Sequence, residues 1–463
     1  MTRNLCVFVL TVAALPTSCS SSKSTSSIKG TGGASVGTGG VTGSGGTGGP
    51  VGSGGTAGRS TRGDAAVDAK ASDAAGADAS APDVSIVDAP STQPSDSDVG
   101  AALVNPAPGS KFFVGANFWR IDWEGTSDFF VSNVDWTTVT NPWQPQFLLD
   151  LAPHKVLRFM DWNLSNDDPN PESVWSTRKQ KTQKQDGEPI AFEWQIDLCN
   201  RTQKDCWISV PIQGDATYQQ SLATLVYQLL DPKLRVYVEY SNEVWNGSFP
   251  QSAIALANAN RLGLPADPNT CCNTDDIKTS NAYVYGAVRL FEQFESVFGK
   301  GSPRLVKVLS GQAGWDGPCQ IHMLALKNKT LNPNGTMPTV YAIAPYVGGT
   351  SIADLKTDIA NTAKMTTSHI ACASKLNLPV ISYESGSDSY AAPGNGCTTL
   401  QHDPGMHDLY TAYYDALSAA GMTGPLNQYT HVGRCWGLKE KTSDSPSVSP
   451  KYQGVLDWLA AHP

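Results

Sequence analysis

Residues 234–247 read LRVYVEYSNEVWNG. The apolar alternation of a strand runs from Leu234 and stops near Tyr240, and then Ser241, Asn242, Glu243 and Trp245 follow, placing a carboxyl group just beyond the strand end. Seven further runs of the same kind flank it: FFVGANF (112–118), KVLRFM (155–160), CWISV (206–210), RLVKVL (304–309), TVYAIA (339–344), PVISYE (379–384) and THVGRCW (430–436). Helical stripes lie between them. Leu222, Leu225, Val226 and Leu229 share one face, as do Ala287, Leu290, Phe291, Phe294, Val297 and Phe298, and a shorter stripe carries Leu409, Tyr413 and Leu417. Strands alternating with helices predict an α/β fold with a parallel sheet. Eight such units predict a (β/α)₈ TIM barrel. A doubly wound open sheet is the alternative, but no Gly-rich phosphate turn follows the first strand to support it.

In a barrel of this kind, chemistry sits at the C-terminal ends of the strands. Two predicted strands end in a carboxyl group at the mouth, the fourth in Glu243 and the seventh, LPVISYESG, in Glu384. Two facing carboxyl groups are what glycoside hydrolysis needs, one protonated to assist the leaving oxygen and one ionised. A separation of about 5–5.5 Å implies retention of anomeric configuration, and roughly 6.5–9.5 Å implies inversion. Glu239 lies inside the same strand as Glu243 and reads as structural.

The stretch VYVEYSNEVWN (236–246), with ISYESG (381–386) after it, resembles the clan A retaining glycoside hydrolases. The resemblance implies a (β/α)₈ barrel over roughly residues 112–438 that cleaves a β-linked polysaccharide or oligosaccharide by double displacement, with no cofactor and no metal. It assigns Glu243 as acid/base, Asn242 as the contact to the sugar 2-hydroxyl and Glu384 as nucleophile. It also gives Arg158 as support for that nucleophile, Tyr346 as its hydrogen-bond partner and Trp436 as an aromatic floor for the sugar. A cation near Glu384 would lower its pKa, and Trp245 beside Glu243 would desolvate that acid and raise it. Arg158 has a competing neighbour in Asp161, with which it would simply form an ion pair. Trp119, Trp123, Trp162, Trp245 and Trp315 all follow predicted strands, where an aromatic face suits a sugar ring or ordinary packing. The alternative function is a noncatalytic barrel that grips polysaccharide at the cell surface.

The rest of the chain sets the context. Of 463 residues, 33 are basic and 42 acidic, for a formal charge of −9, which argues against a nucleic-acid partner. All 12 Trp fall between Trp119 and Trp458. The chain opens MTRNLCVFVLTVAALPTSCSSS, one basic residue followed by an apolar run too short to cross a bilayer, which is the layout of a secretory signal over residues 1–19. Cys19 before serines resembles a bacterial lipoprotein acylation site; plain secretion is the alternative. Residues 20–104, first Gly/Ser/Thr-rich and then Ala/Asp-rich, predict a disordered tether, leaving residues 105–463 as the folded domain. The expected location is therefore outside the cell, lipid-anchored or secreted. Eight Cys lie in the domain (Cys199, Cys206, Cys271, Cys272, Cys319, Cys372, Cys397 and Cys435), an even number that suggests disulfides in an exported chain. The closeness of Cys199 to Cys206 favours a local bridge; the other pairings stay open. His402, Asp403 and His407 read as a surface cluster rather than a metal site.

Overall fold

The computed structural model describes residues 103–121, 125–266, 272–389, 392 and 396–463. The expected signal, Cys19 and nearly all of the expected tether lie outside the described residues, as do Trp123 and Cys271. At the domain's start Val104 N donates to Lys233 O (3.2 Å) and Asn105 O accepts from Arg235 Nη1 (2.8 Å).

Eight strands form a closed barrel: β1 (Val114–Asn117), β2 (Val156–Arg158), β3 (Asp205–Val210), β4 (Val236–Tyr240), β5 (Leu305–Ser310), β6 (Val340–Ile343), β7 (Val380–Ser382) and β8 (Leu426–Gln428). Every pairing is parallel and follows chain order, with β8 closing on β1 through Val114 opposite Leu426. The crossovers carry helices α1 (Pro145–Asp150), α2 (Phe192–Thr202), α3 (Ala216–Leu229), α4 (Pro250–Leu262), α5 (Thr274–Phe298), α6 (Gly317–Lys327), α7 (Ile352–Ala373), α8 (Gly396–Gln401) and α9 (Gly405–Ala419), and α10 (Pro450–Ala461) follows β8. This is the TIM-barrel fold.

The strand alternation divides the apolar residues into two clusters. Val156, Trp207, Tyr237, Val306, Val308, Val340, Ala342, Ile381 and Tyr383 pack against one another inside the barrel. Their strand neighbours Leu157, Cys206, Ile208, Val236, Val238, Leu309, Tyr341, Ile343, Val380 and Leu426 face out and join the helices in the larger core. Both faces are covered, which is why these strands read as nearly continuous apolar runs. The helix that carries the Ala287–Phe298 stripe, α5, begins at Thr274, where Asn273 Oδ1 accepts from the backbone N–H groups of Asp275 and Asp276 (3.0 Å each).

One strand differs from the sequence reading. THVGRCW (430–436) is a loop, and the eighth strand is Leu426–Gln428 just before it. Asn427 and Gln428 are fully buried, each held through its side-chain nitrogen: Asn427 Nδ2 donates to Ser382 O (3.1 Å) and Gln428 Nε2 to Ser385 Oγ (2.7 Å). The 430–436 segment turns through Cys435 at φ 63° and folds back, Thr430 N bonding Trp436 O and Leu438 N bonding Thr430 O. Cys435 is joined to Cys397, and its carbonyl accepts from the buried Lys451 Nζ (2.6 Å).

Two further disulfides, Cys199–Cys206 and Cys319–Cys372, tie α2 to β3 and α6 to α7. Three bridges among the described residues suit an oxidising, extracellular setting. Among the described residues no helix is long and apolar enough to cross a membrane. His402 pairs with Glu440 (2.9 Å), whereas His407 lies between Asp408 and Asp457 (2.9 Å each). No group of three or more ligating side chains gathers among the described residues.

Gly115 on β1 shows how tightly the barrel interior is filled. A Cβ there would stand 1.7 Å from Asn427 Oδ1 and 2.9 Å from the backbone oxygen of Val156. Gly115→Ala is expected to lower the unfolding free energy by about 1–3 kcal/mol, read from urea denaturation with the disulfides intact.

Candidate active site

Arg158, the last residue of β2, has a fully buried side chain at the top of the barrel interior. Its guanidinium reaches four neighbours. Nε and Nη2 donate to Glu239 Oε2 on β4 (3.0 and 2.9 Å), and Nη2 also donates to Asn242 Oδ1 (2.7 Å). Nη1 donates to Asn117 Oδ1 on β1 (2.9 Å) and to Glu384 Oε1 (2.8 Å). The group lies over the rings of Trp207 and Tyr383, 5.6 and 5.2 Å from their centroids. Burial opposes its charge, but Glu239 and Glu384 more than offset that, and its pKa rises. Glu239 also accepts from Trp207 Nε1 (2.9 Å) and Ser209 Oγ (3.3 Å). Arg158 makes no bond to Asp161.

Glu384 stands two residues beyond β7. Its second oxygen accepts from the Tyr346 hydroxyl (3.0 Å). A short parallel pair, Val347–Gly348 with Ser387–Asp388, clamps these two loop segments together.

Glu243 follows β4 through a sharp turn in which Ser241 (φ 64°) and Glu243 (φ 40°) both take left-handed backbone. Such conformations in non-glycine residues are strained and concentrate at functional sites. The turn is held by Ser241 N to Val210 O (2.7 Å), Asn246 N to Glu243 O (2.8 Å) and Gln251 Nε2 to Asn242 O (2.6 Å). The Glu243 carboxyl accepts from the Tyr383 hydroxyl (2.8 Å) and from Asn246 Nδ2 (3.0 Å), both neutral donors.

The two acids are therefore held differently. Burial and the negative charge of Glu384 push the Glu243 carboxyl up to about 7, against the pull of Asn246, Tyr383 and Arg158. Burial also raises Glu384, while the charge and hydrogen bond of Arg158 and the Tyr346 hydroxyl work against it. The sequence expectation of a lowered Glu384 is thus corrected. Its burial outweighs a cation that is shared with Glu239.

The remaining expected residues fall as follows. Asn242 has both amide atoms engaged, the oxygen by Arg158 and the nitrogen by Asn166 Oδ1 (3.1 Å). Trp119 and Trp436 gather with Tyr429 and Tyr346: ring centroids are 5.5 Å apart for Trp119–Tyr429, 6.0 Å for Tyr429–Trp436 and 5.6 Å for Trp436–Tyr346. Trp245 is half-buried near Tyr383. Trp315 is 40% exposed, its indole donating to Gln312 Oε1 (2.6 Å). Trp162 is core, stacked on Phe118 (4.9 Å) and Trp143 (6.1 Å), and serves packing.

Sequence reasoning missed Asn117 and Tyr383, and it kept Asp161 open as an alternative partner for Arg158. Asn117 ends an otherwise apolar strand, a signal that was there to be read. Tyr383 carries none. Asp161, three residues past Arg158, accepts from the Tyr429 hydroxyl (2.9 Å), and burial, then the charge of Glu384, raises its pKa to about 7.

No family model and no curated protein matches the chain. Solved structures do. A 4-O-α-L-rhamnosyl-β-D-glucuronidase from Fusarium oxysporum 12S shares 14% identity, covering 77% of this chain and 70% of that one, with a TM-score of 0.44. An endo-β-1,4-mannanase from Thermotoga petrophila shares 10%, covering 77% and 78%, with a TM-score of 0.43. A family 1 β-glucosidase from Thermotoga maritima shares 10%, covering 77% and 98%, with a TM-score of 0.42. Likeness at this level carries nothing about activity. The barrel stands on its own strand pairing, and the chemistry on its own side chains.

Arg158→Met would leave Glu239 and Glu384 buried without their cation. The expected cost is about 3–5 kcal/mol of stability, measured by denaturant unfolding. A cost under about 1 kcal/mol would show that the two carboxyl groups do not depend on it.

Proposed function

We propose that the chain is a glycoside hydrolase that cleaves a β-linked polysaccharide or oligosaccharide with retention of configuration. The observation that carries this reading is the unequal setting of two carboxyl groups at the mouth of one barrel. Glu384 is bonded by a guanidinium and a phenol, whereas Glu243 is bonded only by neutral donors and lifted to about 7. Two acids whose surroundings separate their protonation states divide into a nucleophile and a proton donor.

In the first step an ionised Glu384 attacks the anomeric carbon, the glycosidic C–O bond breaks, and Glu243 gives its proton to the departing oxygen. In the second step Glu243, now ionised, takes a proton from water, whose oxygen displaces Glu384 from the same carbon. Tyr346 and Arg158 hold the nucleophile in place. Asn242, fixed through Arg158 and Asn166, borders the sugar 2-hydroxyl. Trp119, Trp245 and Trp436 offer apolar faces to the C–H surfaces of the rings. A secretory leader with an acylated Cys19, followed by the tether over residues 20–104, would hold the domain at the outer surface of the cell.

The aromatic grouping of Trp119, Tyr429 and Trp436 would serve a noncatalytic glycan-binding barrel equally well. Release of reducing ends from a panel of β-glycans separates the two readings, since a binder retains glycan without product.

Glu384→Gln is expected to lower kcat by at least about 1,000-fold with little change in thermal midpoint; retention of parental activity would remove the nucleophile assignment. Glu243→Gln should slow cleavage of poor leaving groups far more than that of activated aryl leaving groups, which need no proton. The pH profile of kcat/KM should be bell-shaped. It falls above about pH 7 as Glu243 loses its proton, and falls in acid as Glu384 gains one, at a pH above the usual carboxylate range because burial raises that group.

A further inference from the structure

Tyr383 plays no part in the two steps above, yet its hydroxyl bonds one of the two acids. Its side chain is fully buried in the barrel interior, with the Arg158 guanidinium 5.2 Å from the ring centroid. The backbone is held on both sides: its N–H donates to Ile343 O (3.1 Å) and its carbonyl accepts from Asn117 Nδ2 (3.0 Å). From this place Tyr383 Oη meets Glu243 Oε1 at 2.8 Å. Burial, then the charges of Glu243 and Glu384, raise the phenol's pKa well above its ordinary value, so it keeps its proton.

The other oxygen of Glu243 meets a different kind of partner. Asn246 Nδ2 stands 3.0 Å from Oε2, and Asn246 Oδ1 accepts from Ser248 N (3.0 Å). A backbone N–H can only donate, so that contact fixes the orientation of the amide and leaves Oε2 facing a group that can only donate. A phenol hydroxyl can either donate or accept. A neutral carboxyl group has one carbonyl oxygen, which accepts, and one hydroxyl, which donates. The carbonyl role therefore falls to Oε2 beside Asn246, and the proton to Oε1 beside Tyr383. The charged groups that face Glu243 are Glu384 from beyond β7 and Arg158 from β2; Tyr346, from beyond β6, is a further titratable neighbour.

We infer that Tyr383 is a positioning residue that serves Glu243 in both of its protonation states: its hydroxyl accepts from the O–H on Oε1 in the acid form and donates to the same oxygen in the base form. This rests on the hydrolase reading and adds a residue to it. When the departing glycosidic oxygen takes the proton, the O–H bond of Glu243 breaks and its electron pair stays on Oε1. Tyr383 then turns its own O–H toward that charge, and its O–H bond stays intact. In the second step water returns a proton to Oε1, and the hydroxyl turns back. Asn246 donates to Oε2 in both forms. A donor aimed at the charged form favours that form, so Tyr383 holds the Glu243 pKa below where burial and Glu384 would otherwise set it.

The test reads the alkaline limb of kcat/KM on a β-glycan that the parent cleaves. Tyr383→Phe keeps the ring and removes the hydroxyl. Without that donor the ionised form is favoured less, and the limb should move up by about one pH unit. Site-specific meta-fluorotyrosine in place of Tyr383 keeps the hydroxyl but makes it a stronger donor and a weaker acceptor, so the same limb should move down. Loosened packing alone would lower activity without driving the limb in opposite directions. Should Tyr383→Phe fail to fold, the fluorinated protein decides by itself. An unmoved limb in proteins of parental thermal midpoint, or shifts of the same sign, overturns the inference and leaves the hydrolase reading standing. If the parent releases no product from any β-glycan, the hydrolase reading falls, and the inference with it.

Discussion

One guanidinium group sets the order of the barrel's active end. Arg158 is reached by Asn117 from β1, Glu239 from β4, Asn242 from the turn beyond β4 and Glu384 from beyond β7. These segments are far apart in the chain and meet only because the sheet closes. A planar group with a fixed fan of donors dictates the angle at which each acceptor arrives, which a flexible ammonium would not. Buried ion pairs contribute little net stability compared with apolar packing. The arrangement is better understood as fixing geometry: it decides that Glu384 receives a charged donor and that Glu243, on the neighbouring turn, receives none.

That asymmetry is reinforced from the other side by tyrosines. Tyr383 and Glu384 are adjacent in sequence, yet Tyr383 bonds the opposite acid, Glu243, while Glu384 turns to Tyr346. Both side chains lie against Arg158, yet their polar ends diverge to different partners. Glu243 is thereby tied to the strand end that bears Glu384, and Glu384 to the segment that follows β6, the strand beside its own. A shift in either strand would disturb both acids together.

Much of this could be read in the chain. Strands four and seven announce themselves by apolar runs that stop at a carboxyl group, and Arg158, Tyr346 and Trp436 were assigned by family resemblance. The structure bonds Arg158 and Tyr346 to Glu384 and packs Trp436 on Tyr346. What escaped was held by hydrogen bonds instead of apolar burial. β8 contains Asn427 and Gln428, whose partners lie about forty residues away, so no local periodicity marks it. Asn117 donates to Tyr383 O across 266 positions (3.0 Å). Trp162, open in the sequence between a sugar contact and packing, is core, because the 3-10 turn Asp161–Asn163 folds it back under the strand end against Phe118. Of the two partners open to Arg158 in the sequence, the structure has Glu384 and not Asp161, whose carboxyl accepts from Tyr429 instead.

The loop that displaced the expected eighth strand has one more implication. Trp436 is borne by a segment whose neighbour Cys435 is fastened to Cys397 by a covalent bond and to Lys451 by a hydrogen bond, with Gln401 Nε2 holding Gly437 O (2.8 Å) beside it. In a thiol-rich compartment only the hydrogen bonds would remain. The position of Trp436 is therefore coupled to the oxidation state of the Cys397–Cys435 pair.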